Sequence, residues 1–344
     1  MPTADPLLQV LLEAAVPFAL PLRRHFRGID VREGMLIRGP NGWGEFAPFD
    51  DYSAAAASRW LDSAIEAAFG QWPAALRSSV EVNAIIPALE SGDAAALARE
   101  AVLDNGCRTI KVKVGADLAD DEARVASIRD VLTTTLGRGN GAIRIDANGA
   151  WDVKRAAAAL RRLGAYGIEY VEQPCSTVAE LRELRGLTDV PIAVDETIRT
   201  AADPQGMRVR EFADLAIVKP APLGGVATTL RVVDELDVPV VVSGSLDSSI
   251  GLDVALAAAA ALPELPFACG FGTGALLEAD LVEVSRIPFE GRLLVGRTLP
   301  DLPALLAARD RLSDERAVWW RGRLTTAWAA GSEQRSGSLV SDAS

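Results

Sequence analysis

The sequence predicts an α/β protein, a parallel barrel with a small α+β unit in front of it. Three observations carry that reading. From about residue 80, short β-rich runs alternate with Ala-, Leu- and Arg-rich stretches of helical period. Eight runs can be counted, with ends about 23–33 residues apart, and eight parallel strands close a barrel. No G-x-G-x-x-G loop follows an early strand, so a doubly wound open sheet, the rival, lacks its nucleotide loop.

Residues 8–50 read as short strands and turns. The runs Val31–Arg38 and Trp43–Pro48 flank Asn41-Gly42, a hairpin signal. Residues 53–70 follow as an Ala-rich helix capped by Ser53. These make the α+β unit, residues 1–78. The barrel, 79–286, takes its strands from Val80–Ile85, Thr109–Val114, Ala142–Asp146, Ile168–Glu172, Ile192–Asp195, Leu215–Lys219, Val238–Ser243 and Pro266–Cys269. Residues 287–310 carry Pro288, Gly291, Gly296 and Pro300 before a helical run from Leu302. Lying beyond the eighth strand, the segment 287–330 is expected to return and complete the first unit. The stretch 331–344 is rich in Ser and Gly and reads as a flexible tail.

The 344 residues are 49% hydrophobic and 24% charged, which suffices for a large core. Net charge is −12, which argues against nucleic acid and anionic membranes as partners. An anionic substrate would then need a locally positive site. Cys107, Cys175 and Cys269 are widely spaced and odd in number, so they read as buried core thiols rather than a disulfide or zinc framework. Residues 7–22 are apolar but interrupted by Glu13 and two prolines, with Arg23 and Arg24 after them rather than before. That is not a signal-peptide pattern, and no run reaches the ~20 apolar residues of a membrane helix. The expectation is a cytoplasmic protein.

The chemistry lies at the ends of the strand runs. Three successive runs finish on Asp146, Glu172 and Asp195, and a bare charge there sits at a mouth. Adjacent strands stand about 4.8 Å apart, so three neighbouring carboxylates can converge on one ion. Hard oxygen donors without His or Cys select Mg²⁺, with Mn²⁺ as a substitute, over zinc. Each acid alone could be a helix N-cap; three at consecutive strand ends, with lysines before and after, favour a cation cradle. Lys113 ends the second run and Lys219 the sixth, so across an eight-strand barrel they face each other. A lysine beside a cation, partly desolvated, can act as a base near neutral pH. Lys111 shares the strand face of Lys113 and can pair with a metal-binding acid or a substrate carboxylate. The set suits abstraction of a proton α to a carboxylate.

The motifs Lys111-Val-Lys113, Asp146-Ala-Asn148, Glu172-Gln-Pro174, Asp195-Glu196 and Lys219, in this order, resemble the enolase superfamily in its muconate-lactonising-type branch. The resemblance covers nearly the whole chain and implies a (β/α)₇β modified TIM barrel with an α+β capping domain. Within the branch, the short cap, Phe26-Arg27-Gly28, Gly42–Phe49, Val218–Gly225 and Ser243–Gly251 resemble the actinobacterial o-succinylbenzoate synthase family. That likeness implies a Mg²⁺-dependent syn dehydration of 2-succinyl-6-hydroxy-2,4-cyclohexadiene-1-carboxylate, in menaquinone biosynthesis. It implies Lys113 as the base, Lys219 on the opposite face, and Asp146, Glu172 and Asp195 on the metal. Asn148 and Glu196 would support that shell. For a dicarboxylate substrate, backbone N–H groups at Ser243, Gly244 and Ser245 are candidate donors to the succinyl tail. Gly270 to Gly272 would let a ligand come close. Arg27, with Arg23 and Arg24, lies in the cap segment over the mouth, although a solvated basic turn is the plainer reading of all three. The likeness also favours a monomer.

Sister chemistries are narrowed by residue content. A racemase-like acid dehydratase would carry a His base on the seventh strand, and the one histidine is His25 in the cap. A dipeptide epimerase would show Asp-x-Asp at the eighth strand, where Cys269-Gly-Phe-Gly-Thr273 stands instead. N-succinylamino acid racemisation and muconate-type lactonisation use the same two lysines and remain alternatives.

Overall fold

The computed structural model describes residues 5–201, 204 and 206–341, with side chains as far as residue 331. Asp5 caps helix α1 (Pro6–Ala14), with Pro6 in the first turn where its missing N–H costs nothing. This helix stands where the sequence suggested strands and turns. The chain then enters an antiparallel sheet of β1 (Ala15–Phe26), β2 (Ile29–Gly39) and β3 (Gly42–Phe46). The β2–β3 turn is Pro40–Asn41, one residue earlier than expected, since Asn41 donates from its backbone to Ala68 and from its side chain to Phe69. Those carbonyls end α2 (Ala54–Phe69), which Ser53 caps.

The barrel begins with β4 (Ser79–Glu81) and β5 (Asn83–Ile86), then α3 (Ser91–Leu103), β6 (Thr109–Lys113), α4 (Leu118–Leu136), β7 (Ala142–Asp146) and α5 (Val153–Leu163). It continues with β8 (Ile168–Glu172), α6 (Val178–Arg185), β9 (Ile192–Val194), α7 (Glu196–Arg199), β10 (Leu215–Val218), α8 (Pro220–Leu223) and α9 (Val226–Glu235). Last come β11 (Val240–Val242) and α10 (Leu252–Ala261). Strands β5 to β11 form one seven-stranded parallel sheet in sequential order. The expected eighth strand shrinks to two bridging residues. Cys269 pairs with Val82 and Gly270 with Ser243, which joins the sheet's two edges and closes the barrel. Side chains of Val112, Ile145, Val171, Val194 and Val218 belong to one continuous buried core with the helices outside.

The C-terminal segment returns to the cap. β12 (Arg292–Leu294) pairs with β4, α11 (Leu302–Asp310) lies on β1, and α12 (Asp314–Ser341) packs on α2. Trp320 is buried edge-on to Phe46, 6.0 Å between rings. Helix α12 runs on to Ser341, through most of the stretch read as a tail; residues 342–344 lie outside the described residues. A second core joins cap and barrel, with Leu246, Ile250, Leu276 and Leu281 from barrel loops packed with Phe18, Met35 and Trp60. Among the described residues no helix is long and apolar enough to cross a membrane.

All three cysteines are free and buried, and burial pushes their thiols up to about 11 for Cys107 and about 12 for Cys175 and Cys269. A thiol-reactive dye at pH 8 is therefore expected to label none of them in native protein within minutes, and three per chain after denaturation. Rapid native labelling of even one would show that the barrel opens far more readily than its packing implies.

Candidate active site

Parallel strands end on one face, and the charged residues gather there. Lys113, Asp146 and Glu172 are register neighbours at the ends of β6, β7 and β8. Asp195 follows β9 and Lys219 follows β10. The two lysines thus stand on either side of the three acids, separated by three strands. Asp146, Glu172 and Asp195 are each about 1% exposed.

Each acid is paired. Lys111 Nζ donates to both oxygens of Glu172, at 2.7 and 2.8 Å, and lies 3.0 Å from Asp146. Lys113 Nζ donates to Asp146 and to Asn148 Oδ1, both at 2.6 Å. Lys219 Nζ donates to Asp195 at 2.5 Å. Burial would raise Asp146 and Asp195, but lysines outweigh it: Lys111 and Lys113 hold Asp146 below the carboxylate range, and Lys219 with Arg199 does the same for Asp195. Glu172 goes the other way. Burial, and then the charge of Asp146, push it up to about 7. Burial pulls Lys111 down, but Asp146 and Glu172 more than offset it and hold it well above the lysine range. Lys113 is lowered, with burial as the main cause, which suits a proton acceptor.

A supporting layer surrounds these pairs. Asn148, at φ +47°, donates its side-chain amide to Glu196 at 3.2 Å, so Lys113, Asn148 and Glu196 are linked. Two members of this layer were not assigned roles from sequence. Gln173 accepts from the backbone N–H of Asp195 and of Thr197 and donates to Thr197 Oγ1 at 2.8 Å, fixing the chain around Asp195. Arg199 is buried 3.3 Å from Asp195 and 2.7 Å from Glu196, and it donates to the Tyr52 hydroxyl of the cap. An arginine four residues after an acid on one helix was the available signal for Arg199.

The walls come from both domains. The β1–β2 turn, Arg27-Gly28, has positive φ at both positions, as a two-residue hairpin requires. It sets the Phe26 ring 5.9 Å from Lys113 Nζ and the exposed Arg27 guanidinium 4.4 Å from the Phe49 ring. Ser243, Gly244, Ser245, Leu246 and Gly270 line the opposite side. The backbone N–H groups of Ser243, Gly244, Ser245 and Gly270 are already engaged within the protein in this arrangement, so they are not free to serve as tail donors. Ser243 donates to Val218, Gly244 to Gly270, Ser245 to Asp247 and Gly270 to Val242. The space that Gly270 leaves is filled by Ser243, whose Oγ lies 2.4 Å from where a Cβ would stand. Room in the mouth is about 40 Å³, little more than one water needs. Arg23 and Arg24 line a separate cavity of about 610 Å³ beside it, which shares Ile85 and Gly272 with the mouth.

Among the described residues, no three His, Cys, Asp or Glu side chains close on a single cation-sized position, because each acid turns to a lysine. The donor set nonetheless fits a hard divalent cation. Three buried carboxylates stand side by side, Asp195 Oδ1 makes no hydrogen bond and has only an ion pair to Arg199 Nε at 3.3 Å, and Glu172 is raised by burial and then by the charge of Asp146.

The family described as "Enolase C-terminal domain-like" matches residues 93–303, and "Enolase N-terminal domain-like" matches residues 17–68. The chain belongs to the enolase superfamily. Its enolase-type barrel and cap are shared with the muconate lactonizing enzyme of Pseudomonas fluorescens, TM-score 0.72 at 22% identity, covering 86% of this chain and 97% of that one. They are shared too with the L-Ala-D/L-Glu epimerase of Bacillus subtilis, TM-score 0.69 at 22% identity, covering 83% and 96%. At those identities the likeness shows the fold alone. Closer in sequence is the o-succinylbenzoate synthase of Thermobifida fusca (strain YX), 47% identical over 316 residues, 91% of this chain and 95% of that one. The o-succinylbenzoate synthase of Mycolicibacterium smegmatis is 47% identical over 329 residues, 94% and 98% of the two chains. Within the enolase superfamily, this enzyme falls in the o-succinylbenzoate synthase family.

Proposed function

We propose that the enzyme is a hydro-lyase that converts 2-succinyl-6-hydroxy-2,4-cyclohexadiene-1-carboxylate to 2-succinylbenzoate and water, acting as a cytoplasmic monomer in menaquinone biosynthesis. The observation that carries this reading is the placement of Lys113 and Lys219 on either side of three buried carboxylates. The names of the relatives that are 46–47% identical over more than nine-tenths of the chain support it.

Asp146, Glu172 and Asp195 would hold Mg²⁺, or Mn²⁺ in its place. The bound cation would supply Lewis-acid stabilisation of negative charge developing on the substrate carboxylate. Lys113 takes the proton α to that carboxylate, giving the enediolate. The C–O bond then breaks on the same face, and Lys113 returns its proton to the departing hydroxide, so water leaves and the ring becomes aromatic. Lys219 stabilises the enediolate from the other face. Phe26 and the Ser243–Leu246 segment exclude water from the ring. A ring with a succinyl tail does not fit in about 40 Å³, so entry requires the walls of the mouth to move apart.

The test is turnover of freshly made substrate, followed as loss of diene absorbance. Fast loss is expected with Mg²⁺, with inactivation by EDTA and recovery on adding Mg²⁺ or Mn²⁺. Activity indifferent to chelation would remove the cation from the reading. No loss from protein that still binds Mg²⁺ would shift the assignment to N-succinylamino acid racemisation, which α-proton exchange in D₂O would then detect.

A further inference from the structure

The wall opposite the cap turn is held by the cap itself, through buried polar groups on neither the proton path nor the carboxylate set. Leu246 sits in this wall at φ +63°, a backbone state that L-residues rarely adopt and that surrounding structure must enforce. Its carbonyl accepts from Arg32 Nε of β2 at 3.0 Å, and Arg32 also donates to Ala47 while lying 4.4 Å over the Phe49 ring. Two residues on, Ser248 gives both its backbone N–H, at 3.2 Å, and its hydroxyl to Glu45 Oε2 of β3. The Ser248 hydroxyl in turn accepts from Ile250 and Gly251 at the start of α10, both at 3.2 Å. The Asp247 carboxylate between them accepts from Ser245 at 2.7 Å. Arg32, Glu45 and Asp247 are at most 6% exposed.

Two features show that Glu45 is placed at a cost. Its Oε1 is buried without a donor, and a Cβ on Gly251 would stand 2.5 Å from its carboxyl carbon. Gly251 itself has ordinary helical backbone angles, so the approach of Glu45 is what excludes a side chain there. Burial, then the charge of Asp247, also push Glu45 up to about 7. Packing alone would favour an apolar residue at such a seam.

We propose that Glu45 is a positioning residue: with Arg32 it clamps the barrel segment 244–251 to the cap and so fixes the wall against which the substrate's tail is held. The proposal rests on the function proposed above for the substrate, but not for the clamp itself.

The test compares Glu45→Ala, Glu45→Gln and Gly251→Ala with wild type, each assayed below its melting temperature. Glu45→Ala is expected to lower kcat/KM roughly ten- to hundredfold, with the change carried by KM. Glu45→Gln, which keeps an acceptor for Ser248, should give a smaller rise in KM. Gly251→Ala, which displaces the carboxylate without removing it, should reproduce the Glu45→Ala effect. The double variant should be no worse than Glu45→Ala alone. An unchanged KM in folded Glu45→Ala, or independent addition of the two changes, overturns the clamp. If Glu45→Ala does not fold, the glutamine and Gly251→Ala variants decide on the same criteria. If wild type does not turn over the diene, the proposed function falls and amide hydrogen exchange judges the clamp: faster exchange confined to 244–251 supports it, and unchanged or uniformly faster exchange overturns it.

Discussion

Lys113→Ala is expected to lower turnover by at least 10²–10⁴-fold, the contribution of a positioned general base. Lys113 reaches the mouth from the end of β6, it is pulled below the usual lysine value by burial, and its ammonium lies beneath the Phe26 ring. Removing it leaves Asp146 still partnered by Lys111 at 3.0 Å, and Lys113 is itself only partly buried. Fold and cation binding should therefore survive. Calorimetric titration with Mg²⁺ should give nearly the wild-type affinity, while product formation and α-proton exchange in D₂O both fail. Full activity in the variant would take Lys113 out of the base role.

Lys111→Met should have the largest effect on stability. The ammonium is the hydrogen-bond donor to both oxygens of Glu172 and also touches Asp146, with all three groups buried. Breaking a buried pair by removing one partner costs about 3–5 kcal/mol where the remaining group stays charged, and less where it can take up a proton. In a chain of this size the full cost lowers the melting temperature by roughly 4–7 °C in metal-free protein. Burial and then the charge of Asp146 already push Glu172 up to about 7, and losing the Lys111 cation moves it higher. A carboxyl raised above its unfolded value loses stability for the fold as pH rises through the folded value, so the deficit should grow from pH 6 to pH 8. Saturating Mg²⁺ should return part of it, about 2.7 kcal/mol at a hundred times Kd. A melting temperature within 2 °C of wild type, measured without metal, would mean that Glu172 is neutral or solvated and that Lys111 is dispensable to it.

The strand runs and their terminal charges were legible because both are local. β7 and β8 have the bounds their apolar runs suggested, and Asp146 and Glu172 finish them. The opposition of Lys113 and Lys219 followed from counting strands. The eighth strand was overread: Pro266–Cys269 has strand composition, but only Cys269 and the following Gly270 bridge neighbours. Helix α1 was missed because its nine residues are apolar on several sides, and the Asp5-Pro6 start is a short signal.

What the sequence determined by itself was the barrel with its cap, the three acids and the two lysines, since period, spacing and strand-end charge are properties of neighbouring residues. Only the tertiary structure decided which lysine sits on which acid, that the amides of 243–245 are already engaged, and that Arg199, Arg32 and Glu45 tie the cap to the mouth. Those contacts join residues 147, 214 and 203 positions apart. A hydrogen bond across such a separation leaves no mark in local pattern, because its geometry exists only once both domains have packed.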